Sequence, residues 1–363
     1  MIGIVGGYGD IGKKVAEKLS HKHKVLIGGR NASSNKELFE GYENITFKNV
    51  DIFNYDSLCE FTEKCELVIN CVGPSWKTNG LVELCCIRKK IHLLDIGYPE
   101  KMDNLQSMEV GSTILYGVGT CPGLSELLQI YLGNFFDRLE ELNTYFGGRD
   151  RFTRTAAEDY LYGITGRKNM PLATWKQGKV NFNSGMRKNN VELPFFEEAV
   201  NIYPYLDDES LFVANKLRPL NASWNLVIEG GEMNKILDKA RILYPERPSV
   251  AIELLCRGSA LETMGKGTYI IFLVEGQGII NGNKCKKMFF LRSESQPELT
   301  SIVVTSIANK VLEGKIEIGL KPLSKIESVN EFVNEFICAG YGFKSCILDN
   351  SIDELNDLQE GEI

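Results

Sequence analysis

The opening residues constrain this chain more than any other stretch. Ile2-Gly3-Ile4-Val5 has the apolar, β-branched character of a buried strand, and it runs straight into Gly6-Gly7-Tyr8-Gly9-Asp10-Ile11-Gly12. An amphipathic helix follows, with Ile11, Val15 and Leu19 at four-residue spacing and Ala16 beside them. The glycines parse as G-x-x-G-x-x-G through Gly6, Gly9 and Gly12, or as G-x-G-x-x-G through Gly7, Gly9 and Gly12. In either parse the chain turns tightly and can bring its backbone against a pyrophosphate, with the amides and partial positive charge of the helix N-terminus facing the anion. A glycine-rich turn alone would satisfy the same letters. The strand before it and the helix after it favour a nucleotide site, with Tyr8, Asp10 and Ile11 in the same loop.

To about residue 120 the chain alternates short apolar runs with amphipathic helices, the signature of βαβ units and a parallel sheet. The strand candidates are Ile2–Val5, Lys24–Ile27, Ile45–Lys48, Leu67–Val72, His92–Ile96 and Thr113–Val118. Beyond residue 138 the rhythm changes to longer runs: Leu139–Phe146, Trp224–Ile228, Val250–Cys256, Thr268–Gln277 and Met288–Arg292, with a turn at Asn281-Gly282-Asn283. The expected fold class is α/β: an N-terminal Rossmann doubly wound parallel sheet, plus a C-terminal α+β domain with a mainly antiparallel sheet. The expected boundaries are 1–135 for the first domain, 136–318 for a substrate and dimerisation domain, and 349–363 for an acidic tail. Pro297 opens an expected helix, Glu298 to Leu312, and another is expected around Val329–Phe336.

The formal charge of −7 leaves no basic footprint for nucleic acid. Six acids and no base lie between Asp349 and Ile363, so the rest of the chain is close to neutral and the tail reads as a solvated or frayed end. No apolar run approaches membrane-spanning length, and the strand at Ile2 leaves no room for a leader, so no membrane is expected and the cytoplasm is the expected setting. The ten cysteines contain no Cys-x-x-Cys and read as reduced packing thiols; no metal site is expected. His21 and His23 read as helix-end cations, and with His92 alone left over, neither a histidine zinc site nor a Ser-His-Asp triad is supported.

After the second strand, where an acid would select NAD, the chain reads Gly28-Gly29-Arg30-Asn31, with Ser33 following. A guanidinium there pairs with a ribose 2′-phosphate, so the expected cofactor is NADP(H); the bland alternative is a solvated surface arginine. Asp51, beyond the third strand, is grouped with these cofactor contacts. Further turn clusters fall at the carboxyl ends of later strands: Val72-Gly73-Pro74, Asp95-Ile96-Gly97-Tyr98 and Cys121-Pro122-Gly123. Open α/β sheets bind ligands along that edge.

Four segments in order, Asn70-Cys71-Val72-Gly73-Pro74, Asn79 to Cys85, His92 to Gly97 and Thr120 to Ser125, resemble the saccharopine dehydrogenase-like reductases. The resemblance covers about the first 130 residues. It implies that Gly73 and Pro74 lie along the cofactor, that Asp95 sits near the nicotinamide end, and that Pro122 and Gly123 lead out of the nucleotide domain. It also implies that a C-terminal segment, Gly319 to Leu348, returns to the first domain, and that the substrate is an imine C=N, amino-acid-derived or cyclic. A protonated imine needs no strong side-chain acid.

Catalytic candidates are Asp95, Tyr98 and Tyr160. In the second domain Arg149, Arg151 and Arg154 are candidates to clamp an anionic substrate, with a solvated charged loop as the even alternative. The expected protein is an NADPH-dependent reductase acting on a small molecule in the cleft between its domains, and a homodimer through the second. The alternatives are an enoyl reductase of a lipid or natural-product pathway and a non-catalytic NADP-binding sensor.

Overall fold

The computed structural model describes residues 1–363 apart from 79, 99–102, 166–168 and 361–363. The chain forms two compact units, Met1–Leu124 with Pro297–Phe332, and Ser125–Gln296 with Val333–Ile363.

The first unit runs β1 (Ile2–Val5), α1 (Asp10–Ser20), β2 (Val25–Gly29), β3 (Ile45–Asn49), α2 (Tyr55–Thr62), β4 (Leu67–Asn70), α3 (Ser75–Thr78), α4 (Leu81–Lys89), β5 (His92–Asp95), α5 (Asp103–Gln106) and β6 (Thr113–Tyr116). All six sequence-predicted strands are present, with ends shifted by no more than two residues. They pair in parallel in the order β6-β5-β4-β1-β2-β3. Every residue of β1, β4 and β6 is buried, because a doubly covered parallel sheet needs both faces of its strands apolar. The strand order reverses between β1 and β4, and the crevice beyond their carboxyl ends is where such sheets place ligands. A seventh strand, Gly319–Pro322, adds to β6 in parallel.

The second unit is built on a long strand, Arg138–Arg149, which pairs in parallel with Asn221–Glu229 and antiparallel with Tyr269–Ile280. Tyr269–Ile280 turns back through Asn281 and Gly282, both with positive φ, into Asn283–Ser293, as an Asn-Gly hairpin turn demands. The sheet is mixed but mostly antiparallel.

Three expectations change. Val250–Cys256, expected as a strand, lies within the helix Pro248–Glu262. Its apolar run is not an alternation: Ala251, Ile252, Leu255 and Ser259 are buried at helical spacing, and Pro248 stands in the first turn, where a missing N–H costs nothing. The segment returning to the first unit runs from Pro297 to Phe332 rather than from Gly319 to Leu348; Gly319–Pro322 joins β6, whereas Lys344–Leu348 pairs with Asn283–Ser293 in the second unit. The acidic tail packs instead of fraying. Ile352–Glu360 is a helix, the amide of Ile352 donates to Glu275 at 2.9 Å, and Lys286 and Lys287 meet Glu354 and Asp349 at 2.9 and 2.7 Å. Lysines on the neighbouring hairpin thus account for acids that look unpartnered in the sequence.

Ile352 is 5% exposed within an apolar cluster holding Ile271, Leu273 and Met288. Ile352→Ala is expected to lower unfolding stability by about 2 kcal/mol. Chemical denaturation checks this, since a frayed tail would change by less than about 0.5 kcal/mol.

Candidate functional site

The glycine loop is shaped by backbone packing closely on backbone. A Cβ at Gly12 would fall 2.3 Å from the carbonyl oxygen of Gly6, and one at Gly6, whose φ is +74°, would fall 2.8 Å from the backbone of Cys71. Gly9 is different. A Cβ there would meet only the Gly6 oxygen, at 3.4 Å, so its outer side is open. Gly9 also caps α1 without a side-chain hydrogen bond, and the first-turn amides of the helix are left for an outside acceptor. An uncapped helix start under an open glycine is a cradle that fits a pyrophosphate. Asp10 and Ile11 open the helix, while the ring of Tyr8 lies over Gly29 at the end of β2.

Arg30 follows directly, exposed and with no hydrogen bond or ion pair to a described residue. Asn31 precedes a 3-10 stretch, Ala32–Phe39, and the amide of Ser33 donates to Asn49 at 2.9 Å. Arg30, Asn31 and Ser33 therefore share the carboxyl end of β2 with Tyr8. Asp51 lies beyond β3, where its carboxylate accepts the Phe53 amide at 3.0 Å as a turn residue.

The remaining edge loops are held by a pair of buried polar side chains. Asn70 and Asp95 end β4 and β5 in register, and Asn70 Nδ2 donates to Asp95 Oδ2 at 2.6 Å. The other oxygen of each amide or carboxylate accepts from the loop above it: Val72 N to Asn70 Oδ1 at 3.1 Å, and Gly97 N to Asp95 Oδ1 at 2.6 Å. This brace fixes Val72-Gly73-Pro74 and Ile96-Gly97-Tyr98 together. Asp95, a catalytic candidate from sequence, is 2% exposed with both oxygens engaged, so its place is under the site, as a support. Tyr98 is half-buried, its ring edge-on to Tyr116 at 4.9 Å. At Cys121-Pro122-Gly123 the Pro122 carbonyl accepts from Gly119 at 3.1 Å, and Thr120 and Thr300 hydroxyls meet at 2.6 Å. In the segment that resembled a known family, Asn79 lies outside the described residues.

Beside the brace sits Glu83 of α4, fully buried, its oxygens without a hydrogen-bond donor among the described residues. Burial first, and then repulsion from Asp95, hold its carboxyl well above the usual range; burial also raises Asp95. The two carboxyls therefore retain a proton that exposed ones would lose. Sequence reasoning missed Asn70 and Glu83. The available signal was two adjacent apolar strands that each end in a polar residue.

The second-unit candidates are not brought together. Arg149 is buried and ion-paired with Glu197, with Glu198 at 3.5 Å and Glu229 at 3.4 Å. Glu229 also accepts from the Tyr269 hydroxyl and from the amides of Glu197 and Glu198. Three carboxylates on one guanidinium leave no face for a substrate anion, so Arg149 anchors the fold. Arg151 donates to Thr263 at 2.9 Å, and Arg154, 66% exposed, pairs with Glu253 at 3.1 Å. The Tyr160 oxygen accepts from Arg241 at 2.8 Å, and burial raises its pKa.

A family model, the saccharopine dehydrogenase NADP binding domain, matches residues 2–112. No curated protein matches. Among solved structures, the chain is similar to apo saccharopine dehydrogenase (L-Glu forming) from Saccharomyces cerevisiae, with a TM-score of 0.72 and 14% identity over 96% of this chain and 99% of that one. This likeness shows the fold. The C. glutamicum DAP dehydrogenase in complex with DAP matches at a TM-score of 0.42 and 12% identity, over 92% of this chain and 98% of that one.

The two kinds of glycine separate binding from folding. Gly9→Val is expected to keep the thermal midpoint and lose NADPH binding, whereas Gly12→Ala, which drives a methyl into the Gly6 carbonyl, is expected to lower the midpoint of the ligand-free protein. Calorimetric titration beside a thermal melt distinguishes them. For the buried carboxyls the sign follows from proton uptake: the folded state keeps a proton that the unfolded chain releases above about pH 4, so stability falls as pH rises past that point. Glu83→Gln is therefore expected to gain on the wild type as pH increases from 5 toward 8, by at most about 1.4 kcal/mol per pH unit. Denaturation at both ends of that range measures it; a constant difference would contradict the raised carboxyl of Glu83.

Proposed function

We propose that this chain, whose residues 2–112 match the saccharopine dehydrogenase NADP binding domain, is an oxidoreductase that uses NADPH to reduce an imine C=N in an amino-acid-derived or cyclic substrate. The observation that carries the reading is the alignment, on one sheet edge, of the open Gly9 cradle, the uncapped start of α1 and the unpaired Arg30.

When bound, NADPH supplies the hydride, from its nicotinamide C4. The chain's own residues hold and aim. Gly9, with the amides of Asp10 and Ile11, would take the pyrophosphate in a turn that Gly6, Gly7 and Gly12 shape by close packing; Arg30, with Asn31 and Ser33, would take the 2′-phosphate, and Tyr8 lies beside them. Val72-Gly73-Pro74, Cys121-Pro122-Gly123 and Asp51 would complete the contacts to the cofactor. Asp95 and Asn70 keep the loops of β4 and β5 at fixed spacing. Tyr98 orients the nicotinamide end or the reduced atom with its phenol. A protonated imine already carries the charge that draws hydride, so the reduction needs no strong side-chain acid.

An anionic substrate group falls to Arg151 or Arg154, whose guanidiniums are less deeply committed than that of Arg149. Tyr160, taken up by Arg241, is left out of the reaction. The reading keeps a homodimer through the second unit, supported by the exposed side chains of Phe182 and Met186, 65% and 78% accessible. It keeps a cytoplasmic setting as well; among the described residues no helix is long and apolar enough to cross a membrane.

Arg30→Ala is expected to weaken NADPH binding roughly 10- to 150-fold, the loss of a charge-assisted contact of about 1.5–3 kcal/mol, and to leave NADH binding nearly unchanged. Titration with both cofactors checks this, and equal wild-type affinities would remove the assignment. Loss of nicotinamide absorbance with a panel of imines and enoyl thioesters tests the reaction. Turnover of the enoyl thioesters alone would replace the imine reading.

A further inference from the structure

The ten cysteines are all free, and two of them face each other across neighbouring helices of the first unit. Cys59 on α2 and Cys85 on α4 place their sulfurs 3.6 Å apart. We infer that Cys59 and Cys85 form a modification site, a dithiol that a peroxide converts to a disulfide tying α2 to α4.

The two thiols have unequal surroundings, and the inequality sets the order of events. Cys59 is half-buried and within electrostatic reach of Arg88 and Lys89, cations in the last turn of α4. Cys85 is fully buried, and its neighbour Thr62 places a hydroxyl 3.6 Å from its sulfur. Burial pushes the Cys85 thiol up to about 11, so it waits as the resolving partner. The vicinal Cys86 is fully buried too, with its thiol raised well above the usual range by burial first, and among the described residues it has no short sulfur contact of this kind. The adjacent pair in the sequence is thus a weaker redox candidate than the pair made by packing.

In the first step the Cys59 thiolate attacks one oxygen of hydrogen peroxide. The O–O bond breaks, hydroxide leaves and takes a proton to become water, and Cys59 is left as a sulfenic acid. In the second step Cys85 gives up its proton and its sulfur attacks the Cys59 sulfur. The S–O bond breaks, and the departing hydroxide leaves as the second water. Two thiols and one peroxide give one disulfide and two waters, with two electrons passing from sulfur to oxygen. The new bond closes a loop that contains β4, the Val72-Gly73-Pro74 segment and the start of α4. Exchange with a small thiol reverses it.

The experiment exposes the purified full-length chain to hydrogen peroxide, blocks remaining thiols by alkylation and maps peptides without reduction. The expected major product is the Cys59 peptide joined to the Cys85 peptide, two hydrogens lighter than the separate thiols and released by dithiothreitol. Cys86→Ser should form the link as the wild type does, and Cys59→Ser should not. The inference fails if the wild type yields Cys59 and Cys85 both alkylated, Cys59 over-oxidised without a partner, or Cys85 joined to Cys86. The wild-type map alone suffices, so a poorly folded variant at Cys85 would not protect the proposal.

Discussion

The contact on which the first unit depends is the approach of Gly12 in α1 to the carbonyl of Gly6, closer than any side chain permits. It presses the start of the helix onto the end of β1 and, through Gly6, onto the backbone leaving β4. From that contact the helix axis, and with it the direction of its free amides, is set against the sheet. Glu298 reinforces the placement, pairing with Lys14 and Lys18 of α1 at 2.8 and 2.7 Å from the returning segment. A second layer, the Asn70–Asp95 bond, then spaces the loops that the glycine contact leaves free. The carboxyl edge of the sheet is thus held by packing restrictions and buried hydrogen bonds.

The two units solve the burial of polar groups differently. In the first, Glu83 and Asp95 lie buried together, and burial raises both carboxyls above their usual range. In the second, Arg149 and Arg292 balance Glu197, Glu198 and Glu229, with the Tyr269 ring beneath both guanidiniums at 5.4 and 4.0 Å. Such a network is costly to break at one member, because an unpaired charge would be left in the interior.

Much of this was legible from residues because parallel strands buried on both faces read as continuous apolar runs, and all six such runs became strands. The glycine loop was legible for a related reason, since only glycine allows contacts of that length. Val250–Cys256 was not, because a short apolar run with β-branched residues fits a strand or a buried helix equally, and tertiary packing decided it. Arg149 was misleading for want of long-range information: its partners at Glu197, Glu198 and Glu229 lie in later segments, and nothing near Arg149 in the sequence announces them. The register that pairs Asn70 with Asp95 is likewise a property of the sheet. Sequence showed both residues at the edge without showing that they bond.

The parallel strand Gly319–Pro322 has a consequence for synthesis. A ribosome delivers β1 through β6 early, yet β6 keeps an open hydrogen-bonding edge until the chain has been extended by some two hundred residues. The whole of the second unit up to Gln296 emerges in that interval. Exposed strand edges invite pairing with other nascent chains, so the first unit is vulnerable for most of its own translation. A chain cut short before Gly319 would hold β6 by β5 alone and leave its other edge open.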